Sequence, residues 1–361
     1  MKKKIYFKNN RENRVLFIDN AKGMAIILMI IGHSLKLGSL KRNAIFSFHM
    51  PLFIITSGFF YKRKTFMNEL KNLIINLLIP TMNIYFFVFL YSNIDKMSLK
   101  DCCQNIIKSI IIAYSHQSKI KYEFKSIGVL WFNYFLILVR LLFNINKKIE
   151  KENDIILFII ILMEAYIGYL IGVQKYWLPW SIDVSFACIL FYYVGYTLNK
   201  YKIFYEIYGN IKIILIIFLM WIAGIKYNWI EIAVRKYPNG LWCFITAISG
   251  SIILLILARI IEAKLKIFSK FISWCGKNSL YILFGHHIEI SLIKYNLLIV
   301  DKSTYYKIII PLKCLFSISF AFLLVNLKNL RTFLLNKIKN KIIKKETKLI
   351  DISLLDEKNN I

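Results

Sequence analysis

Apolar windows close to the ~20 residues that span a bilayer recur along the whole chain. Ten windows are visible, at about 15–35, 44–61, 73–92, 127–144, 155–173, 181–198, 211–226, 241–260, 279–296 and 305–325. In hydrocarbon every backbone N–H and C=O needs a partner within the protein, which favours helices over open sheets. The sequence therefore predicts an all-α integral membrane protein, a bundle of about ten transmembrane helices.

The net charge of +29 belongs to the loops between these windows. With ten spans both termini lie on one side, and most of the loop lysines and arginines lie on that same side. The positive-inside rule then places both termini in the cytoplasm. Because basic loops beside apolar spans contact anionic lipids first of all, we expect membrane lipids as partners and no nucleic acid.

The same pattern divides the chain into three parts. We predict a basic N-terminal arm (1–14), one transmembrane domain (15–325) and a basic C-terminal tail (326–361), both ends being cytoplasmic. The abundance of Ile, Lys and Asn is typical of an AT-rich bacterial genome, so we expect a multi-pass protein of a bacterial plasma membrane. The six cysteines show neither a metal-ligand spacing nor a disulfide framework.

The first window carries three ionisable groups, Asp19, Lys22 and His33. A charge near mid-bilayer costs roughly 2.5–3.5 kcal/mol on insertion scales, so such groups usually face a bundle interior or a wet cavity. At 100° per residue, Lys22 lies about 60° from Asp19 and His33 about 20° from Lys22, which places all three on one helical stripe. The stripe indicates either a site or polar groups that pair only to hold the bundle together.

The second window adds His49, followed by Pro51 and, at its far end, Ser57 next to Gly58. A proline inside a helix frees a carbonyl and can kink the helix. If the first two helices are antiparallel, His49 and His33 lie at a similar depth, which suggests a site. The alternative is that His49 only hydrogen-bonds a backbone carbonyl. The small Ser57 and Gly58 suit close helix packing.

Further polar groups lie in later windows. Trp131 is either an interfacial belt residue or a wall of a substrate pocket, in which case Asn133 supplies a polar group. His286 and Glu289 are three residues apart and share a helix face, as a second acid–base pair or as a packed pair; His287 points elsewhere. No metal site is predicted, since no other window offers clustered ligands.

Two stretches carry a resemblance to a known family: DNAKGMAIILMIIGHS from Asp19 to Ser34, and FHMPLFIITSGFF from Phe48 to Phe60. They resemble the opening of the membrane-bound acyltransferase-3 family, and most closely its fucose 4-O-acetylase-like branch. Weaker matches are LWF at 130–132, YYVGY at 192–196 and NSLYILFGH at 278–286. Much of the family has an arginine eleven residues before the first-span histidine; Lys22 stands there in this chain, as in the fucose-acetylase-like branch.

The resemblance implies transfer of an acetyl or other short acyl group from acyl-CoA to a sugar hydroxyl. The expected acceptor is a cell-surface polysaccharide or its lipid-linked precursor, and glycan-assembly machinery is a possible partner. Acetyl-CoA would be a co-substrate, with no bound cofactor. Imidazole suits proton transfer at neutral pH, so His33 is the candidate base or acyl carrier. Lys22 would contact CoA or neutralise Asp19, and His49 would orient the acceptor or stabilise an oxyanion.

Two other hypotheses stay open at this point. Intramembrane charges and broken helices also suit a transporter of polysaccharide or lipid-linked sugar. Such a protein would show inverted-repeat symmetry, and none is evident between the two halves of the sequence. A non-catalytic membrane subunit of a glycan-assembly complex is the third hypothesis, and it predicts that alanine at Lys22 or His33 is silent.

Overall fold

The computed structural model describes residues 15–115, 125–150, 153–293, 295 and 305–359, and within these ranges regular structure is helical with no strand. The only β-type pairing among them is an isolated antiparallel bridge between Glu231 and Lys236. The helices are α1 Leu16–Ser34, α2 Leu40–Phe59, α3 Phe66–Leu73, α4 Ile79–Asn93, α5 Leu99–Ile112, α6 Trp131–Ile149, α7 Asp154–Val173, α8 Ile182–Lys200, α9 Ile203–Tyr208, α10 Ile211–Ile225, α11 Leu241–Lys264, α12 Lys266–Lys277, α13 Ser279–Leu292 and α14 Ile310–Asn359. A π-helical stretch, Ile74–Leu78, joins α3 to α4.

Seven segments of the described chain are helices long and apolar enough to cross a membrane. They are Leu16–Ser34, Phe66–Asn93, Gly128–Ile149, Asp154–Val173, Pro179–Lys200, Leu241–Lys264 and Tyr306–Phe333. The chain therefore has the helices of a multi-pass membrane protein, as the sequence predicts. The third predicted span begins earlier than expected, at Phe66.

The other three predicted spans are also helices, but each falls outside that set of seven. Polar side chains such as Arg42, Asn43 and His49 lower the hydropathy of α2. Helix α10 has 15 residues and α13 has 14, which is short against the ~20 needed to cross the hydrocarbon. The count of ten spans and the cytoplasmic position of the termini stay predictions.

Helix α1 lies at the centre of the bundle, in contact with α2, α11, α12, α13 and α14. Its apolar window is 67% buried, against 28% for Asp154–Val173. The exposed large side chains of that peripheral helix, among them Ile155 and Met163, form an apolar outer surface suited to lipid. The polar groups of α1 consequently face protein.

Glycines allow the closest of these contacts. A Cβ on Gly276 of α12 would lie 1.8 Å from the carbonyl oxygen of Asp19, and one on Gly23 of α1 would lie 1.9 Å from that of Ile272. The predicted close packing at Gly58 is also present, because a Cβ there would lie 2.0 Å from the carbonyl oxygen of Tyr192. Small residues let helix backbones approach in this way within membranes.

The predicted domain limits stay predictions. The N-terminal arm, 1–14, lies outside the described residues. Helix α14 runs through position 326 to Asn359 without a break, so no helix end marks the predicted start of the tail.

Candidate functional site

A cavity of about 1010 Å³ opens between the helices, and it gathers most of the polar residues predicted from the sequence. Six of the nine predicted site residues line it: Lys22, His33, His49, Ser57, Trp131 and Asn133. Asp19, His286 and Glu289 lie outside its lining. The cavity therefore defines a candidate site built around the first two helices.

Helix α1 supplies one wall. Lys22, Ile26, Met29 and His33 all line the cavity, and their spacing of four, three and four residues keeps them on one face of the helix. Eleven residues of α-helix rise roughly 16 Å, so Lys22 and His33 lie at different depths of one space. The side chain of His33 is exposed and that of Lys22 is half-buried. Both side chains thus face the cavity and not the lipid.

Asp19, which continues the same stripe, has a different environment. It is 6% exposed and lies where α1 meets α12, with its backbone carbonyl against Gly276. The structure places Asp19 in the contact between α1 and α12 and outside the cavity lining.

Helix α2 brings His49 to the same wall as His33. The ring of Phe46 lies between them, 5.3 Å from the ring centroid of His33 and 4.7 Å from that of His49. His49 Nδ1 lies 3.0 Å from the carbonyl oxygen of Ile45, an acceptor, so Nδ1 carries the hydrogen and donates it. His49 therefore makes the backbone bond considered above and also lines the cavity, with Nε2 as its available acceptor.

The wall opposite α1 comes from α6 and the turn before it. Trp131 is buried and stacks on Phe135 at 5.0 Å between ring centroids, so it is a wall residue and not an interfacial belt residue. The Asn133 amide donates to the Thr81 hydroxyl at 2.9 Å, which fixes its orientation. Ser57 lines the cavity near the C-terminal end of α2.

His286 and Glu289 of α13 lie behind the wall, both 0% exposed. His286 Nδ1 is 3.0 Å from Glu289 Oε2, and Lys313 Nζ of α14 is 3.2 Å from Glu289 Oε1. The ring centroid of His286 lies 5.5 Å from that of His33. The next residue, His287, points away from the face shared by His286 and Glu289, as the helix pattern predicted, and lines the cavity.

One end of the cavity carries a residue pair that sequence reasoning missed. Arg42 Nη2 is 2.9 Å from Glu231 Oε1, and the guanidinium lies 3.8 Å from the ring centroid of Phe46. Both side chains line the cavity. Lys236, outside the spans, carries its ammonium 3.8 Å from the Trp229 ring centroid, and burial lowers its pKa below the ordinary value while Glu231 opposes that shift.

The loop that carries Glu231 is held by a buried ion pair. Arg235 Nε lies 2.8 Å from Asp183 Oδ2, and each side chain is 1% exposed. The same guanidinium contacts the Ser181 hydroxyl at 3.2 Å and lies 3.8 Å from the Trp177 ring centroid. Because these contacts fix Arg235, they also hold the preceding residues, 230–234, as part of the cavity lining.

The other end of the cavity is cationic. Arg140 of α6 lines it and binds Glu69 Oε1 through Nη2 at 2.5 Å and through Nε at 3.0 Å. Lys64 Nζ lies 3.1 Å from the other oxygen of Glu69. Lys64 and Glu69 follow shortly after the end of α2. Because α1 and α2 are antiparallel neighbours, the end of α2 lies near the start of α1, which carries Lys22. Arg140 contacts Glu69 and therefore lies toward the same end of the cavity as Lys22. With Asp19 one turn before Lys22, three cations and two carboxylates leave this end positive by one charge.

Arg42, Glu231, Arg140 and His287 gave no motif in the sequence. Arg42 belongs to the connection between the first two predicted spans and Glu231 to the connection between the seventh and eighth, where single charges form no motif. Arg140 is distinguishable only as a charge near the end of a predicted span. Among the described residues, no group of three or more His, Cys, Asp or Glu side chains is placed to hold a metal ion.

The comparisons with known proteins give one match. The family model for the acyltransferase-3 family, described as an acyltransferase domain, matches residues 15–326, which is most of the chain. No curated protein and no solved structure matches the chain. The matched region contains every residue that lines the cavity.

We predict that Arg235→Met destabilises the protein because it leaves the Asp183 carboxylate buried without its partner. Breaking a buried pair by removing one charge costs about 3–5 kcal/mol. The thermal unfolding midpoint of the purified protein in detergent should fall by several degrees. Arg259→Met is the matched control, because Arg259 pairs with Glu262 one turn away at a half-exposed site. Equal midpoints for the two variants would contradict the role given to Arg235.

Proposed function

Because the chain belongs to the acyltransferase-3 family, we propose that it moves an acetyl or other short acyl group from acyl-CoA to a sugar hydroxyl. The acceptor we propose is a cell-surface polysaccharide or its lipid-linked precursor, at the plasma membrane of a bacterium. The observation that carries this proposal is that Lys22 and His33 line one cavity from one helix, together with His49. Lysine eleven residues before the histidine supports assignment to the fucose 4-O-acetylase-like branch.

The cationic end of the cavity supports binding of the donor. Acyl-CoA carries phosphate groups at one end and its thioester at the other, so cations must lie at a distance from the reacting atoms. Lys22 lies roughly 16 Å along α1 from His33, which matches this separation of charge and chemistry. Lys22 and Arg140 are the residues we assign to the phosphates. Arg140 binds Glu69 through Nε and Nη2, so Nη1 is the group that it offers to a phosphate. With the termini in the cytoplasm, this end faces the compartment that contains acyl-CoA.

His33 is the proposed base. Its imidazole takes the proton of the acceptor hydroxyl as that oxygen attacks the thioester carbonyl carbon. The tetrahedral intermediate then collapses, the C–S bond breaks, and the CoA thiolate takes the proton from the imidazolium to leave as the thiol. The products are the O-acyl sugar and CoA, and His33 returns to its neutral form. An alternative order, in which the His33 nitrogen first accepts the acyl group, uses the same residue.

The hydrogen bond of His49 favours one of its two suggested roles. With Nδ1–H donated to Ile45, a neutral His49 offers only the lone pair of Nε2. It can then accept a hydrogen bond from a hydroxyl group, whereas an oxyanion needs a donor. We therefore assign His49 to orientation of the acceptor hydroxyl.

The opposite end, near Arg42 and Glu231, is where we place the acceptor. The pair offers donors and an acceptor to sugar hydroxyls, and the Ser115 and Ser126 side chains add hydroxyl groups to the same lining. Trp131 and Phe132 supply the apolar surface on which a sugar ring packs. Donor and acceptor would thus enter from opposite ends and meet at His33.

His33→Ala should abolish acylation of the surface glycan, since no other described residue has its position in the cavity. The measurement is mass spectrometry of glycans from cells that carry the variant, with membrane protein quantified by immunoblot as the control. Retained acylation at normal protein level would contradict the proposal. Loss of the whole glycan from the surface, instead of loss of its acyl groups, would favour the transporter hypothesis.

Substitutions at the two ends should affect different substrates. Loss of a hydrogen bond to a charged group costs about 1.5–3 kcal/mol, or roughly ten- to a hundredfold in affinity. In steady-state assays, Lys22→Ala should raise KM for acetyl-CoA by that factor and leave KM for the glycan unchanged. Arg42→Ala should raise KM for the glycan by the same factor and leave KM for acetyl-CoA unchanged. If Lys22→Ala changed KM only for the glycan, the direction of substrate entry would be wrong.

A further inference from the structure

The pair formed by His286 and Glu289 lies directly behind the proposed base, and the mechanism above makes no use of it. Both side chains are 0% exposed, and His286 approaches His33 to 5.5 Å between ring centroids. The Glu289 carboxylate bonds to the His286 imidazole, which adjoins the His33 imidazole. Catalytic bases are oriented by a further group in arrangements of this kind. This arrangement needs defined proton positions, and the contacts of Glu289 define them.

Glu289 fixes which nitrogen of His286 carries hydrogen. A carboxylate is an acceptor only, and Oε2 lies 3.0 Å from His286 Nδ1, so Nδ1 donates. Lys313 Nζ lies 3.2 Å from the other carboxylate oxygen and stabilises the ionised form. A neutral His286 therefore has its lone pair on Nε2.

That lone pair lacks a partner. His286 Nε2 is a buried polar atom with no hydrogen bond from any described residue. An unsatisfied buried acceptor is destabilising, so a partner that arrives during the reaction relieves that cost. Because Nδ1 is occupied by Glu289, Nε2 is the only nitrogen through which His286 can bond to the adjacent ring of His33. Hydrogen bonds of this kind are often long before substrate binds and shorten in the complex.

We infer that Glu289 and His286 are positioning residues for His33, with His286 Nε2 accepting the ring N–H of His33 when the substrates are bound. This inference rests on the proposed function. It leaves the second ring nitrogen of His33 with a lone pair directed to the acceptor hydroxyl. When that nitrogen takes the proton, the carboxylate stabilises the new imidazolium through His286. No proton leaves His286 or Glu289 in this step.

The inference predicts a specific effect of Glu289→Gln. Lys313 attracts the amide oxygen, which leaves the amide NH₂ facing His286 Nδ1. His286 must then accept at Nδ1 and carry its hydrogen on Nε2, where it can no longer accept from His33. Glu289→Asp keeps a carboxylate and hence the original tautomer.

The experiment measures acetyl transfer in membranes, with acetyl-CoA as donor and, as acceptor, glycan from cells that carry His33→Ala. We expect Glu289→Gln to lower kcat at least a hundredfold while both KM values stay within twofold of the wild type. Glu289→Asp should have a kcat at least tenfold higher than that of Glu289→Gln. Ser317→Ala is the matched control: Ser317 is buried on α14 where that helix packs against Gly285 of α13, and its loss should leave kcat unchanged.

Three outcomes would overturn the inference. One is unchanged kcat in Glu289→Gln, another is equal loss in the Gln and Asp variants, and the third is a rise in both KM values with kcat preserved. If His33→Ala is inactive while Glu289→Gln is fully active, only this inference fails. If His33→Ala itself retains activity, the proposed function fails first.

Discussion

The packing of α1 in the middle of the bundle is the constraint on which the rest of the structure depends. Gly23 and Gly276 let α1 and α12 approach closely, and a neighbouring face of α1, about 100° away, lines the cavity. That face carries Lys22 and His33, two groups that would be costly against lipid. The packing that stabilises the bundle therefore places a cation and an imidazole in one shared cavity.

Charged residues gather at the two ends of this space. Each end holds one more cation than carboxylates: Arg140, Lys64 and Lys22 lie with Glu69 and Asp19 at one end, and Arg42 and Lys236 lie with Glu231 at the other. Between the ends lie the uncharged or weakly basic groups, namely the imidazoles and the hydroxyl and amide side chains, which suits a site where two unlike substrates meet.

The sequence predicted the helical class and the first two helices of the site well. Both follow from the length of the apolar windows and from the spacing of the polar residues within them. The stripe of Lys22 and His33 follows from the helix repeat, and it is observed. Arg42 and Glu231 meet across a long sequence separation, and no local pattern encodes such a pairing. His286 and Glu289 were recognised as a pair, but their place behind His33 depends on how α13 packs. The predicted spans that fall outside the set of seven are α2, which is too polar, and α10 and α13, which are short.

The central claim is that one cavity holds the donor with its thioester at His33 and its phosphates at the cationic end. A structure of the protein in lipid nanodiscs with a non-hydrolysable acetyl-CoA analogue, determined by electron cryo-microscopy, tests it most directly. The account predicts the carbonyl carbon of the analogue beside the His33 ring and the phosphates within contact distance of Lys22 or Arg140. A CoA moiety bound outside this cavity, or with its phosphates at Arg42, would contradict it.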